Sequence, residues 1–353
     1  MINIALLGFG TVGSGVAEVL TENKELIKSR TGIDFEIKYI LDLREFPDHP
    51  LGNRVVHDIS VILNDPEVSI VVEMMGGVHP AYDFSLAAIK AGKNVVTSNK
   101  AVVASYGPEL LKEASIRGLR YLFEASVGGG IPIIRPLTDL CAENDITEIV
   151  GILNGTTNYI LTAMKETGVS FDEALKTAQA LGYAEADPTA DVDGFDTCRK
   201  ICILSAVAFG NLVNFEDVKT VGIRGVTLHD IKEAEENGCS VKLIARAVKC
   251  DNGVYMAVEP YAVKKSNPLY SISDVFNGIL VRGKVSGELM FYGKGAGKLP
   301  TAGAVVSDII DIGSRGNNQP IQPIWTTDST KLISSLPDEL EILSSKELGS
   351  PIN

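Results

Sequence analysis

The chain has 353 residues, 45% of them apolar and 22% charged, enough for two domains with sizeable cores rather than one. A net charge of −13 excludes a basic, phosphate-tracking surface, so nucleic acid is set aside as a partner. No apolar run is long enough to span a bilayer, the N-terminus lacks the cationic start of a signal peptide, and the five cysteines form no Cys-x-x-Cys pair. These features predict a cytoplasmic chain with no membrane association, no disulfide framework and no zinc site. Cys198 and Cys202, one helical turn apart, read either as a redox-sensitive pair or as buried small hydrophobes.

The first part of the chain alternates strand and helix signals. Ile2 to Leu7 is a short apolar run closed by Gly8, and Val12, Val16, Val19 and Leu20 then fall on one helical face. Phe35, Ile37, Tyr39 and Leu41 alternate with polar residues in a strand that ends at Asp42. Strands are predicted again at Ser69 to Val72, Asn94 to Thr97 and Arg120 to Phe123, with helices at Pro80 to Lys90 and Pro108 to Arg117. Such β-α repetition predicts a doubly wound parallel sheet of the Rossmann kind over residues 1–130. Strict alternation then ceases, as in an α+β domain, expected over residues 131–298. Ser170 and Glu173 form a capping box for a helix ending at Gly182, and Asp196 to Phe209 reads as a second helix. Val241 to Val248 and Val254 to Val263 read as antiparallel strands, and Ala302 to Ile312 as an apolar helix, placed in a closing segment over 299–315. Residues 316–353 are expected to be a loosely attached polar tail.

Gly8-Phe9-Gly10-Thr11-Val12-Gly13 matches the dinucleotide fingerprint: a tight turn, a close backbone approach to the pyrophosphate, and a tight helix–strand contact. Its place between an apolar strand and an amphipathic helix favours a cofactor site over a mere packing turn. Asp42 stands where an acid takes the ribose hydroxyls of NAD. Arg44 stands where a cation would pair with the 2′-phosphate of NADP, so the sequence leaves NAD and NADP both open, tilted toward NAD.

Three further segments carry a resemblance: Ser98-Asn99-Lys100-Ala101, Asn154-Gly155-Thr156-Thr157-Asn158-Tyr159-Ile160, and Gly182-Tyr183-Ala184-Glu185-Ala186-Asp187-Pro188, continuing to Asp191, Asp196 and Lys200. With the glycine motif they resemble homoserine dehydrogenase, from about Met1 to Ile312. The resemblance implies NAD(P)-dependent interconversion of L-homoserine and L-aspartate 4-semialdehyde, in threonine and methionine biosynthesis. It assigns proton transfer to Lys200, a second cation at the reacting oxygen to Lys100, and support of the reacting end to Asp196. By itself, the Asp196–Lys200 spacing on a helix signals only an exposed ion pair worth about 0.3–0.5 kcal/mol; the face around it continues into Ile201, Leu204 and Ser205 of a largely apolar helix, which predicts a pair partly buried at the cleft. Lys100, judged by its surroundings alone, fits a solvated loop lysine equally well.

The resemblance also places Glu185 and Asp191 at the amino acid end of the substrate, with Gly155, Thr156 and Tyr183 lining the pocket. Ser98, Lys100 and Gly297 are expected near the cofactor. Glu124 and the carbonyls of Val127, Gly129 and Ile131 resemble the ligands of a monovalent cation, sodium being the expected ion; oxygen ligation suits a hard cation. A glycine-rich crossover would need the same residues. The second domain is expected to mediate a homodimer. Some 40 residues follow Ile312, too few for the regulatory amino-acid-binding domain often attached there, so threonine inhibition through such a domain is not expected. Two alternatives remain from the sequence: a dehydrogenase of another small amino or hydroxy acid, and a dinucleotide-binding sensor without turnover.

Overall fold

The computed structural model describes residues 1–315, 325–326 and 331–352. In chain order the strands are β1 (Ile2–Leu7), β2 (Phe35–Leu41), β3 (Val55–Val56), β4 (Val68–Glu73), β5 (Asn94–Thr97), β6 (Tyr121–Leu122), β7 (Ile146–Ile152), β8 (Lys219–Thr220), β9 (Cys239–Cys250), β10 (Gly253–Lys264), β11 (Phe276–Gly283), β12 (Gly287–Lys294), β13 (Leu332–Ile333) and β14 (Gly349–Pro351). The helices are α1 (Thr11–Glu22), α2 (Lys24–Thr31), α3 (Ile59–Leu63), α4 (Ala81–Lys90), α5 (Lys100–Ile116), α6 (Ile134–Leu140), α7 (Gly155–Thr167), α8 (Phe171–Ala180), α9 (Thr189–Val192), α10 (Phe195–Phe209), α11 (Leu228–Glu236), α12 (Lys298–Arg315) and α13 (Asp338–Glu347). They form two compact units, Met1–Thr138 with Ala296–Trp325, and Asp139–Gly295 with Thr326–Asn353.

The first unit holds a six-stranded parallel sheet in the order β3-β2-β1-β4-β5-β6. The order reverses beside β1, and in open α/β sheets the crevice at the carboxyl ends of the strands next to such a reversal is where ligands bind. Ile4, Leu6, Ile70 and Val72 are fully buried beneath α1 and the returning α12, whose Ala302, Val305 and Ile309 complete that core. This is the Rossmann arrangement expected from the β-α alternation.

Helix α5 begins at Lys100, eight residues before the predicted start at Pro108, which lies inside the helix. The Asn99 side chain accepts from the N–H groups of Ala101 and Val102 and so caps the helix. Burial of Val102, Val103, Leu110 and Leu111 outweighs the N–H that the proline lacks.

The second unit is a mixed sheet in the order β12-β11-β7-β9-β10-β13, with β9 and β10 paired antiparallel over twelve residues each. The segment expected as a loose tail does not trail away. β13 and β14 both pair with β10, at Val254–Tyr255 and Tyr261–Val263, while Leu336, Leu340 and Leu348 pack onto the sheet. Its composition is polar, but a few leucines at the right register suffice to dock it. Residues 316–324, 327–330 and 353 of that expectation lie outside the described residues.

Candidate active site

In the first unit, β1 gives way to the glycine turn. Gly8 has a φ of +91°, a conformation costly for other residues, and a Cβ on Gly13 would lie 2.2 Å from the Gly8 carbonyl oxygen. Nothing lies within 4 Å of where a Gly10 Cβ would be, so the backbone there is open. Thr11 and Val12 open α1, with Val12 packed on the core. Beside this turn is a cavity of about 520 Å³ lined by Gly8, Phe9, Gly10, Asp42, Arg44 and Met75 among others. A preformed hollow at a helix N-terminus with an uncovered glycine backbone fits the pyrophosphate of a dinucleotide.

Asp42 follows β2 directly. Its Oδ2 accepts from the Phe9 N–H at 2.8 Å, and Arg44 grips both carboxylate oxygens, each at 2.9 Å. The guanidinium holds the Asp42 carboxyl well below the usual carboxylate range, outweighing partial burial. The two groups that the sequence set against each other as NAD and NADP determinants are therefore paired. His57, which the sequence reading did not single out, also lines the cavity, with Nδ1 2.7 Å from the Asp42 carbonyl and Nε2 2.8 Å from Glu45.

Lys100 is the first residue of α5, just past the carboxyl end of β5, and the Ser98 N–H donates to the Glu73 carbonyl at 3.2 Å. Gly297, at φ +125°, immediately precedes α12. The Glu124 carboxylate accepts from the N–H groups of Ile133, Ile134 and Arg135 at 2.6–2.8 Å, closing the N-terminus of α6. Val127 and Ile131 are buried around it, Gly129 turns the chain at φ +56°, and the Ile131 N–H donates to the Gly128 carbonyl. Among the described residues no group of three or more His, Cys, Asp or Glu is placed to hold a metal ion.

In the second unit, Lys200 and Asp196 are not a surface pair. Both are buried, with the Lys200 Nζ 2.8 Å from Asp196 Oδ2 and donating to the Leu153 carbonyl at 2.8 Å. Asn154 ties the cluster together: its Nδ2 donates to Asp191 Oδ1 and to Asp196 Oδ2, each at 2.8 Å, while its Oδ1 caps α7 at Thr157. Asn154 was missed as a site residue, although an Asn immediately before Gly-Thr-Thr is an N-cap signal. Thr156 donates its hydroxyl to the Tyr183 carbonyl at 2.6 Å, and a Cβ on Gly155 would lie 2.7 Å from the Val275 carbonyl oxygen. The structure therefore gathers Gly155, Thr156, Tyr183, Asp191, Asp196 and Lys200 around the start of α7. Glu185 is exposed, its carbonyl taken by the Gln179 side chain.

Comparison with known proteins identifies the relatives of this chain. The family described as "Homoserine dehydrogenase" matches residues 132–310, and "Homoserine dehydrogenase, NAD binding domain" matches residues 8–124. A homoserine dehydrogenase of Synechocystis is 47% identical over 88% of this chain and 73% of its own length, and one of Bacillus subtilis is 41% identical over 88% and 72%. Among solved structures, a homoserine dehydrogenase from Thiobacillus denitrificans superposes with a TM-score of 0.88 at 39% identity, covering 94% of this chain and 79% of that one. A hyperthermophilic archaeal homoserine dehydrogenase in complex with NADPH gives 0.77 at 27% identity, covering 91% and 99%.

Proposed function

The chain belongs to the homoserine dehydrogenase family, NAD(P)-dependent oxidoreductases that interconvert L-homoserine and L-aspartate 4-semialdehyde, and from that premise we propose how its own residues carry the reaction. The nicotinamide, when bound, supplies or receives the hydride. Reduction of the aldehyde leaves an oxygen that needs a proton, and Lys200 donates it; in the oxidation direction the same amine accepts one. The buried Lys200–Asp196 pair, fixed by Leu153 and Asn154, is the observation that carries this reading. Asp191 and Glu185 take the substrate ammonium, while Tyr183, Gly155 and Thr156 line its pocket, the latter two offering main-chain N–H groups to the carboxylate.

Gly8 to Gly13 hold the pyrophosphate, Ser98 and Lys100 serve the nicotinamide end, with Lys100 in the second-cation role, and Gly297 closes the cofactor site. Asp42 receives the ribose hydroxyls of NAD, and Arg44 turns from Asp42 to the 2′-phosphate of NADP. Arg44→Ala is expected to weaken NADP binding by about tenfold while leaving NAD binding within about threefold; equal losses for the two cofactors would refute that assignment. A monovalent cation, sodium in the first instance, is held by Glu124 together with the carbonyls of Val127, Gly129 and Ile131.

The pathway is threonine and methionine biosynthesis. Five free cysteines fit the reducing cytoplasm, and no helix among the described residues is long and apolar enough to cross a membrane. The assembly is a homodimer through the outer edge of β12, where Met290 and Tyr292 are exposed. A two-fold antiparallel pairing about Phe291 sets Glu288 opposite Lys294 and Met290 opposite Tyr292, which is self-complementary.

The deciding experiment is the initial rate of NAD and NADP reduction with L-homoserine at alkaline pH, for the natural chain and for Lys200→Ala. Turnover should fall about 100- to 10,000-fold in the variant while cofactor binding persists. A variant that still turns over at the natural rate removes Lys200 from proton transfer.

A further inference from the structure

At the carboxyl end of β4, beneath the cavity of the first unit, lies a fully buried carboxylate that the reaction as described does not use. Glu73 Oε2 accepts from the Thr97 hydroxyl at 2.5 Å, and Oε1 accepts from the Met75 N–H at 2.7 Å and from Asn99 Nδ2 at 3.4 Å. Three donors converge on its two oxygens and favour the ionised form, opposing the burial that pushes the Glu73 pKa upward. The same Asn99 Nδ2 donates to the carbonyls of Gly77 at 2.7 Å and Met75 at 3.2 Å, and its Oδ1 caps α5, whose first residue is Lys100. The Asn99 N–H in turn donates to Thr97 Oγ1 at 2.9 Å. Met74, Met75 and Gly76 belong to the cavity wall.

We propose that Glu73 is a positioning residue for the dehydrogenase reaction: through Thr97 and Asn99 it fixes the start of α5, hence Lys100, together with the Met75–Gly77 loop of the cofactor cavity. Burying a carboxylate costs several kcal/mol unless its hydrogen bonds are satisfied, and a plain turn at this place would need no charge. Here the charge orders two chain segments that must hold the cofactor and a lysine in register. The inference rests on the reading of Lys100 given above.

The test is steady-state kinetics on the full chain with Glu73→Gln, Lys100→Met and the double variant, alongside cofactor affinity and thermal midpoint. A glutamine amide turns one acceptor into a donor facing donors. Glu73→Gln is expected to lower kcat about 10- to 100-fold, with the cofactor still bound though up to about tenfold more weakly, and to lower kcat by less than about threefold when Lys100 is already Met. Asn99→Ser, which keeps a good helix cap but releases Glu73 and the loop, should reproduce the kcat loss in a chain that folds. Should Glu73→Gln not fold, Asn99→Ser alone and in the Lys100→Met background decides. Equal fold-losses in both backgrounds, or a lowered thermal midpoint with kcat untouched, would overturn the inference and leave Lys100 in place. An unchanged kcat in Lys100→Met would overturn the reading of Lys100 and this inference with it.

Discussion

Lys242 shows how a single buried charge leaves its mark on stability. It lies in the sheet of the second unit, 2% exposed, donating to the Ile272 carbonyl and, at 3.3 Å, to Asn158 Oδ1. Burial lowers its pKa from 10.5 to about 8, with the Lys165 charge acting in the same direction. The unfolded chain therefore binds more protons than the folded one between pH 8 and 10.5, and stability rises with pH across that window, by up to about 3 kcal/mol. Below pH 8 the full cost of the buried ammonium is present. Denaturant titrations at pH 8 and pH 10 should show that rise in the natural chain and lose it in Lys242→Met; a rise persisting in the variant would assign it to other groups. The residues proposed for proton transfer follow the same logic of burial. The apolar face of Ile201 and Leu204 made a partly buried Asp196–Lys200 pair legible, and the structure buries it; the hydrogen bonds to Leu153 and Asn154, more than 40 residues away in sequence, were not legible from that spacing.

For the elements, legibility followed local chemistry. The turn from β1 to α1 was readable in full, since a strand, three glycines and an amphipathic face are all encoded within twenty residues. The start of α5 was misjudged because Pro108 resembles a first-turn proline, whereas the true cap, Asn99, sits inside a motif recognised for its lysine. The short strands β13 and β14 carry too few residues for any period and exist because β10 offers them an edge. The turn also makes a sharp experimental contrast. Gly13→Ala should disrupt folding of the first unit, for its methyl would overlap the Gly8 carbonyl oxygen at 2.2 Å. Gly10→Ala, with open space at its Cβ, should fold normally yet bind either cofactor at least about tenfold more weakly, because the methyl stands where the backbone meets the pyrophosphate. Circular dichroism and cofactor titration separate the two; normal affinity in Gly10→Ala would place the pyrophosphate elsewhere.

At the scale of the whole molecule, the sheet of the second unit has one end covered and one open. The β10 edge is occupied along its length by β8, β13 and β14, while β12 closes the other end, with no further strand beside it among the described residues. A long edge strand with exposed apolar side chains invites pairing with another chain. For the homodimer proposed above, Met290→Asp together with Tyr292→Asp should shift sedimentation from dimer to monomer; a dimer that survives both would move the proposed interface away from β12. The change from strict β-α alternation to mixed patterning accompanies the change from a parallel to a mixed sheet, but the docking of the last described residues was not legible, since it depends on contacts some 80 to 90 residues apart in sequence.

That late docking sets an order of events for a chain emerging from the ribosome. Helix α12 completes the core of the first unit from residues 298–315, and the strands that seal β10 come from residues 332–351. Neither unit has its final stabilising pieces until residues 298–351 have been made, so until then a partly covered parallel sheet and an open β10 edge must be kept from pairing with neighbours.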